Sequence, residues 1–371
     1  MLNLHILSEN GICHNFFDLR ACGSPTLAKT APRAKDMQLK PPFLLFLGDA
    51  SDQLAAKTAA GIVDWRREWC TGQLRLPGCK VDLGLDDLDP VQARAKGAST
   101  MVIGVANAGG VIPPQWAASL VTALEAGLDL ASGLHDRLED VPAVAQAATR
   151  LGRQLHNVRI PEQTFATGKG TERRGQRLLT VGTDCSVGKK YTALALERAM
   201  RARGWNADFR ATGQTGILIS GRGVAVDAVV ADFISGAAEW ISPDAETEDH
   251  WDLVEGQGSL FHPSFAGVTL GLLHGTQPDA FVVCHEPTRK TMRGVSMRLP
   301  TIGQVIEQTI ACGRLTNPRI KCVGISVNTA KLGENEAQDC LAKMRSEYAL
   351  PATDPIRFGV DDIVQHIDKE F

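Results

Sequence analysis

The sequence has no Cys-x-x-Cys pair and no long apolar run, and these two absences exclude several classes of protein. Its nine cysteines are scattered over 371 residues, which argues against a disulfide framework and against a zinc site. The longest apolar runs, such as 43–47, have the length of a strand, whereas a bilayer-spanning helix needs about 20 such residues. We therefore expect a cytoplasmic protein with no bound metal and no contact with a membrane.

The chain also lacks an excess of charge of either sign. Its 39 basic and 42 acidic side chains give a formal net charge of −3 at pH 7, so nucleic acid is not expected as a partner. Hydrophobic residues make up 44% and charged residues 22%, which is ordinary for a globular protein. The length suffices for two domains, each with its own core. We expect small-molecule ligands and a homo-oligomer.

Residues 1–36 lack the basic start, the apolar centre and the cleavage site of a secretory signal. Met37 is followed by Gln38-Leu39-Lys40-Pro41-Pro42 and then by the first convincing strand. We therefore expect Met37 to be the natural start, and residues 1–36 to be a disordered or non-native extension.

From residue 43 onward, short apolar runs alternate with longer helical patterns, which is typical of parallel βαβ units. Strands are predicted at 43–47, 73–76, 100–105, 128–132, 177–181, 207–211, 251–255, 280–284 and 320–327. Helices are predicted at 52–64, 88–96, 114–126, 142–155, 189–203, 226–240, 302–312 and 334–348. The fold class is therefore α/β.

A polar, glycine-rich stretch at 162–176 separates two such patterns. We expect a Rossmann-like domain at 37–161, a linker at 162–176, and a P-loop domain with a mostly parallel sheet at 177–371. The first strand of the N-terminal half is not followed by Gly-x-Gly-x-x-Gly, so a dinucleotide is not expected there.

A phosphate-binding loop is predicted between the strand at 177–181 and the next helix. Its residues are Gly182-Thr183-Asp184-Cys185-Ser186-Val187-Gly188-Lys189. Backbone N–H groups and the helix N-terminus give such a loop a positive potential, and Lys189 adds a charge for the outer phosphates. In Mg-nucleotide enzymes the next residue is Ser or Thr, but here it is Lys190, and the nearest hydroxyl belongs to Thr192. The loop predicts a phosphorylated ligand without the usual Mg²⁺ contact.

Another predicted strand of the C-terminal half ends in an acidic residue. The run at 251–255 ends in Glu255 and continues into Gly256-Gln257-Gly258. Beside a phosphate loop, such an acid holds Mg²⁺ in P-loop enzymes, or takes a proton from an attacking amine where no metal is used. The two glycines indicate a close approach of the backbone to a ligand.

Three further strand ends carry polar side chains that a parallel sheet brings to the same edge as the phosphate loop. These side chains are Arg210, Thr212, Gln214, Thr215, His285, Arg289 and Asn328. Arginine makes bidentate contacts with carboxylates, and histidine is a candidate base. Asn328 lies where related P-loop folds place an asparagine that reads an adenine base. The basic residues after His285 suit an anionic substrate and, equally, a solvated loop.

Five segments together resemble a little-characterised P-loop family that includes the bacterial D-glutamate N-acetyltransferases. They are 45–49 (Leu-Phe-Leu-Gly-Asp), 53–58 (Gln-Leu-Ala-Ala-Lys-Thr), 182–189, 212–216 and 254–258. The resemblance implies a Rossmann-like domain on a P-loop domain similar to dethiobiotin synthetase. It also implies acetyl transfer from acetyl-CoA to the amine of D-glutamate, an acidic amino acid. A functional link to an epimerase that acts on the N-acetylated product is implied as well.

This resemblance gives the departure at Lys190 a physical reason, because coenzyme A carries phosphates but needs no Mg²⁺. We expect the loop, Lys190, Tyr191 and Asn328 to contact acetyl-CoA. The residues expected to contact the acceptor are Arg210, Thr212, Gln214, Thr215, Gln257 and Arg289, the two arginines as paired forks for its carboxylates. Glu255 is the expected catalytic base and His285 the second choice.

Two alternatives stay open at this point. One is an ATP-dependent ligase or kinase of the dethiobiotin-synthetase type, in which Glu255 holds the Mg²⁺ of Mg-ATP and Thr192 replaces the missing hydroxyl. The other is a non-catalytic nucleotide sensor, which would turn over no acceptor.

Overall fold

The computed structural model of this protein describes residues 39–371, apart from 54 and 162. The expectations for residues 1–36 and for a start at Met37 lie outside the described residues. The described chain forms two parallel sheets flanked by helices, so the predicted α/β class with a Rossmann-like and a P-loop domain is confirmed. Among the described helices, none combines the length and apolar character needed to cross a bilayer.

The N-terminal sheet is built from five strands of the described chain. These are β1 (Phe43–Gly48), β2 (Cys70–Arg75), β3 (Thr100–Ile103), β4 (Asp129–Ser132) and β5 (Leu155–Asn157). They are all parallel, in the order β2-β1-β3-β4-β5. The helices are α1 (Lys57–Arg66), α2 (Pro90–Ala95), α3 (Ala117–Glu125) and α4 (Pro142–Leu151). Every residue of β1 is buried, as expected for an inner strand of a parallel sheet covered on both faces.

The C-terminal sheet has six described strands. These are β6 (Gln176–Gly182), β7 (Ala207–Arg210), β8 (Trp251–Val254), β9 (Ala280–His285), β10 (Lys321–Val327) and β11 (Ala352–Thr353). The helices are α5 (Lys189–Ala202), α6 (Gln214–Ser220), α7 (Ile234–Ile241), α8 (Ala266–Thr276), α9 (Ile302–Gly313), α10 (Glu334–Tyr348) and α11 (Asp361–Glu370). The strand order is β11-β10-β9-β6-β8-β7. Because β6 lies between β8 and β9, the segments that follow these three strands meet at one edge.

Two predicted helices have different boundaries in the structure. The helix predicted at 52–64 begins only at Lys57, because Asp52 Oδ1 accepts a hydrogen bond from Ala55 N (2.9 Å) and caps a separate turn. The helix predicted at 142–155 ends at Leu151, where Gly152 takes the left-handed conformation (φ 63°). The chain beyond it forms β5, an edge strand that was not predicted.

The helix predicted at 226–240 is wrong over its first half. Two separate 3₁₀ turns, Val226–Ala228 and Ala231–Phe233, precede α7. The elements α6, α8, α11 and β11 were not predicted. In α6 and α8 the sequence is apolar and glycine-containing over most of its length, so it shows no alternation of polar and apolar faces from which a helix is inferred.

The two domains share a buried core. One continuous apolar cluster joins the first sheet to one face of the second and includes Ile62 of α1 and Leu194 of α5. Between these helices, the Tyr191 hydroxyl donates a hydrogen bond to Asp64 Oδ2 (2.7 Å), and its ring packs edge-on against Trp65. This packing sets α1 against the helix that follows the phosphate loop of the other domain.

Candidate active site

The predicted phosphate loop is present between β6 and α5. Ser186 and Gly188 take positive φ angles of 54° and 111°, which turn the backbone into a concave loop before the helix. At Gly182 a Cβ would lie 2.8 Å from the Val187 side chain, so only glycine fits the tight start of the loop. The Lys189 ammonium donates to the Asp184 carbonyl (2.8 Å), which holds its charge over the loop.

The Asp184 side chain organises this loop from inside. It is fully buried, and its Oδ1 accepts from Cys185 N (2.7 Å) while its Oδ2 accepts from Arg293 N (2.8 Å) and Arg289 Nη1 (2.7 Å). Arg289 also donates to the carbonyls of Cys185 and Ser186 and to the Glu286 carboxylate. The N–H groups of the Arg289 guanidinium are thus hydrogen-bonded to protein groups. This arrangement favours a role for Arg289 in shaping the loop over a role in binding the acceptor.

Asp184, Cys185 and His262 bring possible metal-ligand atoms within 4.8 Å of one another. The lone pairs of the Asp184 carboxylate already accept three N–H groups. His262 Nδ1 accepts from Ser264 N (3.2 Å), and its Nε2 lies 3.0 Å from the Arg293 carbonyl. Burial raises the pKa of the Cys185 thiol. The group therefore fits a scaffold for the loop better than a set of metal ligands.

The hydroxyl of Thr192 is occupied by hydrogen bonds within the protein. The Thr192 side chain is buried, and its hydroxyl donates to the Gly188 carbonyl (3.0 Å) and lies 2.7 Å from Ser326 Oγ. These contacts turn it toward β10. The hydroxyl that the Mg-ATP alternative requires is thus already engaged in contacts with Gly188 and Ser326 inside the protein.

Lys190 and Tyr191, predicted to contact acetyl-CoA, lie at the junction of the two domains. The Lys190 ammonium is 3.3 Å from the point where a Cβ on Gly61 of α1 would stand, and 5.0 Å from the centre of the Tyr191 ring. Burial lowers the pKa of Lys190 to about 8, although Glu255 and Asp64 oppose this shift. Lys190 therefore carries a poorly neutralised charge between α1 and Glu255.

Glu255 lies beside the phosphate loop because β8 is the neighbour of β6. Its side chain is 5% exposed, and its Oε2 accepts hydrogen bonds from Thr212 N (3.1 Å) and Gly213 N (3.2 Å). Burial raises the pKa of Glu255 to about 7, while Lys190 and the two backbone N–H groups act in the opposite direction. A carboxylate with a pKa near neutrality is well matched to proton transfer at physiological pH.

The glycines after Glu255 approach protein, and the interpretation that they approach a ligand is wrong for Gly256. A Cβ on Gly256 would lie 1.6 Å from the Thr180 carbonyl oxygen of β6. Gly258 takes a φ of 62° and packs against Phe265 and Thr269. The close approach holds β6 and the end of β8 together, which fixes Glu255 beside the loop.

We expect Gly256→Ala to destabilise the protein by at least about 3 kcal/mol, the upper part of the usual range for overpacking, because a backbone carbonyl has little room to yield. Urea unfolding measures this change. Gly267→Ala in α8 is the matched control, since a Cβ there meets nothing within 4 Å, and it should be neutral or stabilising by up to about 1 kcal/mol. Equal stability of the two variants would contradict the packing role of Gly256.

His285 is the last residue of β9, and Asn328 directly follows β10. His285 Nδ1 lies 3.0 Å from the Thr183 hydroxyl, so the ring contacts the start of the phosphate loop. Burial lowers the pKa of His285, which keeps the imidazole neutral at pH 7. Asn328 N donates to the His285 carbonyl (2.8 Å), and the Asn328 side-chain oxygen accepts from Ala330 N (3.2 Å). The role of Asn328 toward an adenine stays a prediction.

The residues predicted to hold the acceptor are only partly brought together. Thr212 Oγ1 donates to the Glu255 carbonyl and accepts from Gln257 Nε2 (3.1 Å), so these three residues form one cluster. Gln214 Oε1 accepts from Arg159 Nη1 (3.2 Å), and Thr215 Oγ1 lies 3.4 Å from Thr58 Oγ1 of α1. These last two contacts join the P-loop domain to the Rossmann-like domain.

Arg210 lies at the end of β7, but its side chain runs back along the sheet. Its Nε donates to Asp252 Oδ1 (2.6 Å), and its Nη2 lies 3.3 Å from Asp208 Oδ2. Asp208 and Asp252 are paired across β7 and β8, two residues before Arg210 and its partner Val254. The structure therefore does not bring the guanidinium groups of Arg210 and Arg289 together to bind the carboxylates of an acceptor. The role of Arg210 in acceptor binding stays a prediction.

Two cationic residues near the site were not predicted as site residues, although Arg293 belongs to the basic residues after His285 that suit an anionic substrate or a solvated loop. Lys57 is the first residue of α1, and Arg293 follows β9 and donates from Nη1 to Ser186 Oγ (2.6 Å). Lys57 lies within the segment 53–58 that carried the family resemblance. The resemblance of this segment was therefore a sequence signal that could have pointed to Lys57. The position of the segment beside the P-loop domain, however, follows only from the packing of the two domains.

A phosphate loop after the central strand of a parallel sheet, with a carboxylate at the end of the neighbouring strand, defines a P-loop α/β protein. Residues 164–364 match the profile of the DUF1611 P-loop domain, and residues 74–161 match its Rossmann-like N-terminal domain, both described as domains of unknown function. The crystal structure of a DUF1611 family protein from Anabaena variabilis ATCC 29413 superposes with a TM-score of 0.78 at 29% identity, covering 89% of this chain and 100% of that one. The chain belongs to the DUF1611 family.

Two curated relatives have a named activity. A D-glutamate N-acetyltransferase from Pseudoalteromonas sp. is 51% identical over 332 residues, which cover 89% of this chain and 100% of the relative. A D-glutamate N-acetyltransferase from Tritonibacter scottomollicae is 53% identical over 327 residues, which cover 88% of this chain and 98% of the relative. These relatives are acyltransferases, and the chain is an enzyme of this class.

Proposed function

We propose that this protein transfers the acetyl group of acetyl-CoA to the amine of D-glutamate. The observation that carries the proposal is Glu255, a buried carboxylate with a pKa raised to about 7 beside the phosphate loop. The chain that contains Glu255 is 51% and 53% identical to two proteins that are named D-glutamate N-acetyltransferase.

The phosphate loop would hold the phosphates of acetyl-CoA. Its backbone N–H groups and the N-terminus of α5 supply donors, and Lys189 supplies a charge held over the loop by the Asp184 carbonyl. Binding of this kind needs no metal ion, which agrees with a lysine at position 190 and with a Thr192 hydroxyl that faces the interior. These two features favour acetyl-CoA over the alternative of a Mg-ATP-dependent ligase or kinase.

Glu255 would act as the general base. The amine of an amino acid is mostly protonated at pH 7, and it attacks a thioester only as the free amine. In the transfer, a bond forms between the amine nitrogen and the acetyl carbon, and the bond from that carbon to the CoA sulfur breaks. The Glu255 carboxylate takes the proton that the nitrogen loses and returns it to the departing sulfur, so that CoA leaves as the thiol and the carboxylate is regenerated. The hydrogen bonds from Thr212 N and Gly213 N to its Oε2, which orient the carboxylate, support this role.

Under the same proposal, the N-acetylated product would go to an epimerase that acts on N-acetyl-amino acids. The enzyme would work in the cytoplasm as a homo-oligomer.

Ligand-dependent thermal stabilisation tests which cofactor the loop takes. We expect acetyl-CoA or CoA to raise the melting temperature, since a ligand at about 1,000 times its Kd stabilises the folded state by about 4 kcal/mol. Mg-ATP at the same concentration should give a much smaller shift. Stabilisation by Mg-ATP alone would contradict the acetyltransferase proposal and favour the nucleotide-dependent alternative.

A further inference from the structure

We infer that Lys57 of the Rossmann-like domain binds the side-chain carboxylate of the acceptor amino acid, so that the acceptor site lies between the two domains. The inference rests on the proposed function and extends it. It gives the N-terminal domain a role in choosing a dicarboxylic substrate.

A short chain of contacts leads from Lys57 to Glu255. Lys57 is followed by Thr58, whose hydroxyl lies 3.4 Å from that of Thr215 in the first turn of α6. The next residue of α6, Gly216, packs against Glu255 so closely that a Cβ on it would stand 2.2 Å from the carboxylate Oε2. The start of α1 therefore faces the helix turn that borders the proposed base.

Three cations around this junction have no carboxylate at ion-pair distance among the residues that the structure describes. They are Lys57, Lys190 and Arg293. Burial and the nearby Arg293 lower the pKa of Lys57, and Lys57 in turn contributes to the lowered pKa of Lys190. By contrast, Arg289 and Lys331 close by are both paired with Glu286. Cations that repel one another at such a junction are stabilised by a bound anion.

The chemistry of the acceptor assigns these cations to different groups. Its amine must reach Glu255, and its α-carboxylate is attached to the same carbon as the amine. Lys190, which lies near both Glu255 and α1, is therefore assigned to the α-carboxylate here, in place of the acetyl-CoA contact expected from the sequence. Arg293 contacts the loop residue Ser186 and belongs to the phosphate side. Lys57 is exposed on the first turn of α1 and is left for the more distant side-chain carboxylate.

Lys57→Gln in the full chain tests this assignment with D-glutamate and D-glutamine as acceptors. These differ in the side-chain carboxylate, which D-glutamine replaces with a neutral amide of similar shape. We expect kcat/KM for D-glutamate to fall about 10–100-fold through a higher KM, the effect of losing one charge-assisted hydrogen bond. The values for D-glutamine and the KM for acetyl-CoA should stay within about twofold, well below the effect of such a bond.

Lys96→Gln is the matched control. Lys96 is an exposed lysine of the same domain that pairs with Asp86 and lies just before β3, at the opposite edge of the sheet, so this variant should behave as wild type. A Lys57→Gln variant that loses D-glutamate and D-glutamine activity equally, that raises only the KM for acetyl-CoA, or that changes nothing would overturn the inference. A wild-type enzyme that acetylates neither acceptor would instead overturn the proposed function, and the inference with it.

Discussion

Replacing Glu255 with glutamine is expected to lower kcat by about 100-fold or more at neutral pH, since a positioned general base typically contributes about 10²–10⁴-fold. Glutamine keeps the shape of the side chain, and its oxygen still accepts from Thr212 N and Gly213 N, so only the proton-accepting carboxylate is lost. The measurement is steady-state release of the CoA thiol with both substrates saturating. The KM for acetyl-CoA should change little, because the hydrogen bonds of the Glu255 carboxylate go to Thr212 and Gly213, outside the phosphate loop.

The pH dependence of the reaction gives this prediction a second readout. The pKa of Glu255 is about 7, so the carboxylate that acts as base is present above this pH and is protonated below it. Wild-type kcat should therefore rise with pH through about pH 7. The Glu255→Gln variant should lack this rise in kcat near pH 7. Its kcat should recover in part at higher pH, where free amine is more abundant.

Glu197→Gln is the control for Glu255→Gln. Glu197 is also a buried acid of the P-loop domain, but it lies along α5 and pairs with Arg201. Its replacement should leave kcat near the wild-type value. Full kcat in Glu255→Gln at pH 7 would contradict the role of Glu255 and make His285 the next candidate, since burial keeps its imidazole neutral and able to accept a proton.

The second large effect is expected at the phosphate loop. Lys189→Ala should weaken the binding of CoA about 10–150-fold, because a hydrogen bond to a charged group contributes roughly 1.5–3 kcal/mol. Lys189 is 6% exposed, and its ammonium is held over the loop by the Asp184 carbonyl, so its charge is little screened by water. Calorimetric titration with CoA at constant ionic strength measures the change.

Two further variants keep the Lys189 result interpretable. Lys343→Ala removes an exposed lysine from α10 of the same domain and should leave the Kd for CoA unchanged. Lys189→Met keeps the apolar stem of the side chain and should show the same loss of affinity as Lys189→Ala with less disturbance of packing. An unchanged Kd for CoA in both Lys189 variants would place the cofactor outside the loop.

The strands and the phosphate loop could be predicted because their signals are local. The buried strand β6 carries the apolar residues Leu178, Leu179 and Val181, and the glycines and the lysine of the phosphate loop have a fixed spacing. Glu255 could be placed beside the loop because the carboxyl ends of parallel strands share one edge. Helix starts were less predictable, since the beginning of α1 depends on a single Asp52 hydrogen bond.

Side-chain direction and contacts between domains could not be predicted. Arg210 was assigned to the ligand edge from its place at the end of β7, but Asp252 on the neighbouring strand draws its guanidinium back along the sheet. The contact between Thr58 and Thr215 joins residues that are 157 positions apart in the sequence. The hydrophobic periodicity of a sequence gives no information about contacts over such a separation. For the same reason Lys57 was not recognised as a neighbour of the site.

The most direct test of the proposed reaction is a metal-free assay with purified protein, acetyl-CoA and D-glutamate in excess EDTA. We expect one CoA thiol to be released for each N-acetyl-D-glutamate formed, as followed by thiol titration and chiral chromatography of the product. Adding Mg²⁺ should leave the rate unchanged. No product in EDTA, with turnover restored only by Mg-ATP, would contradict acetyl transfer at this phosphate loop.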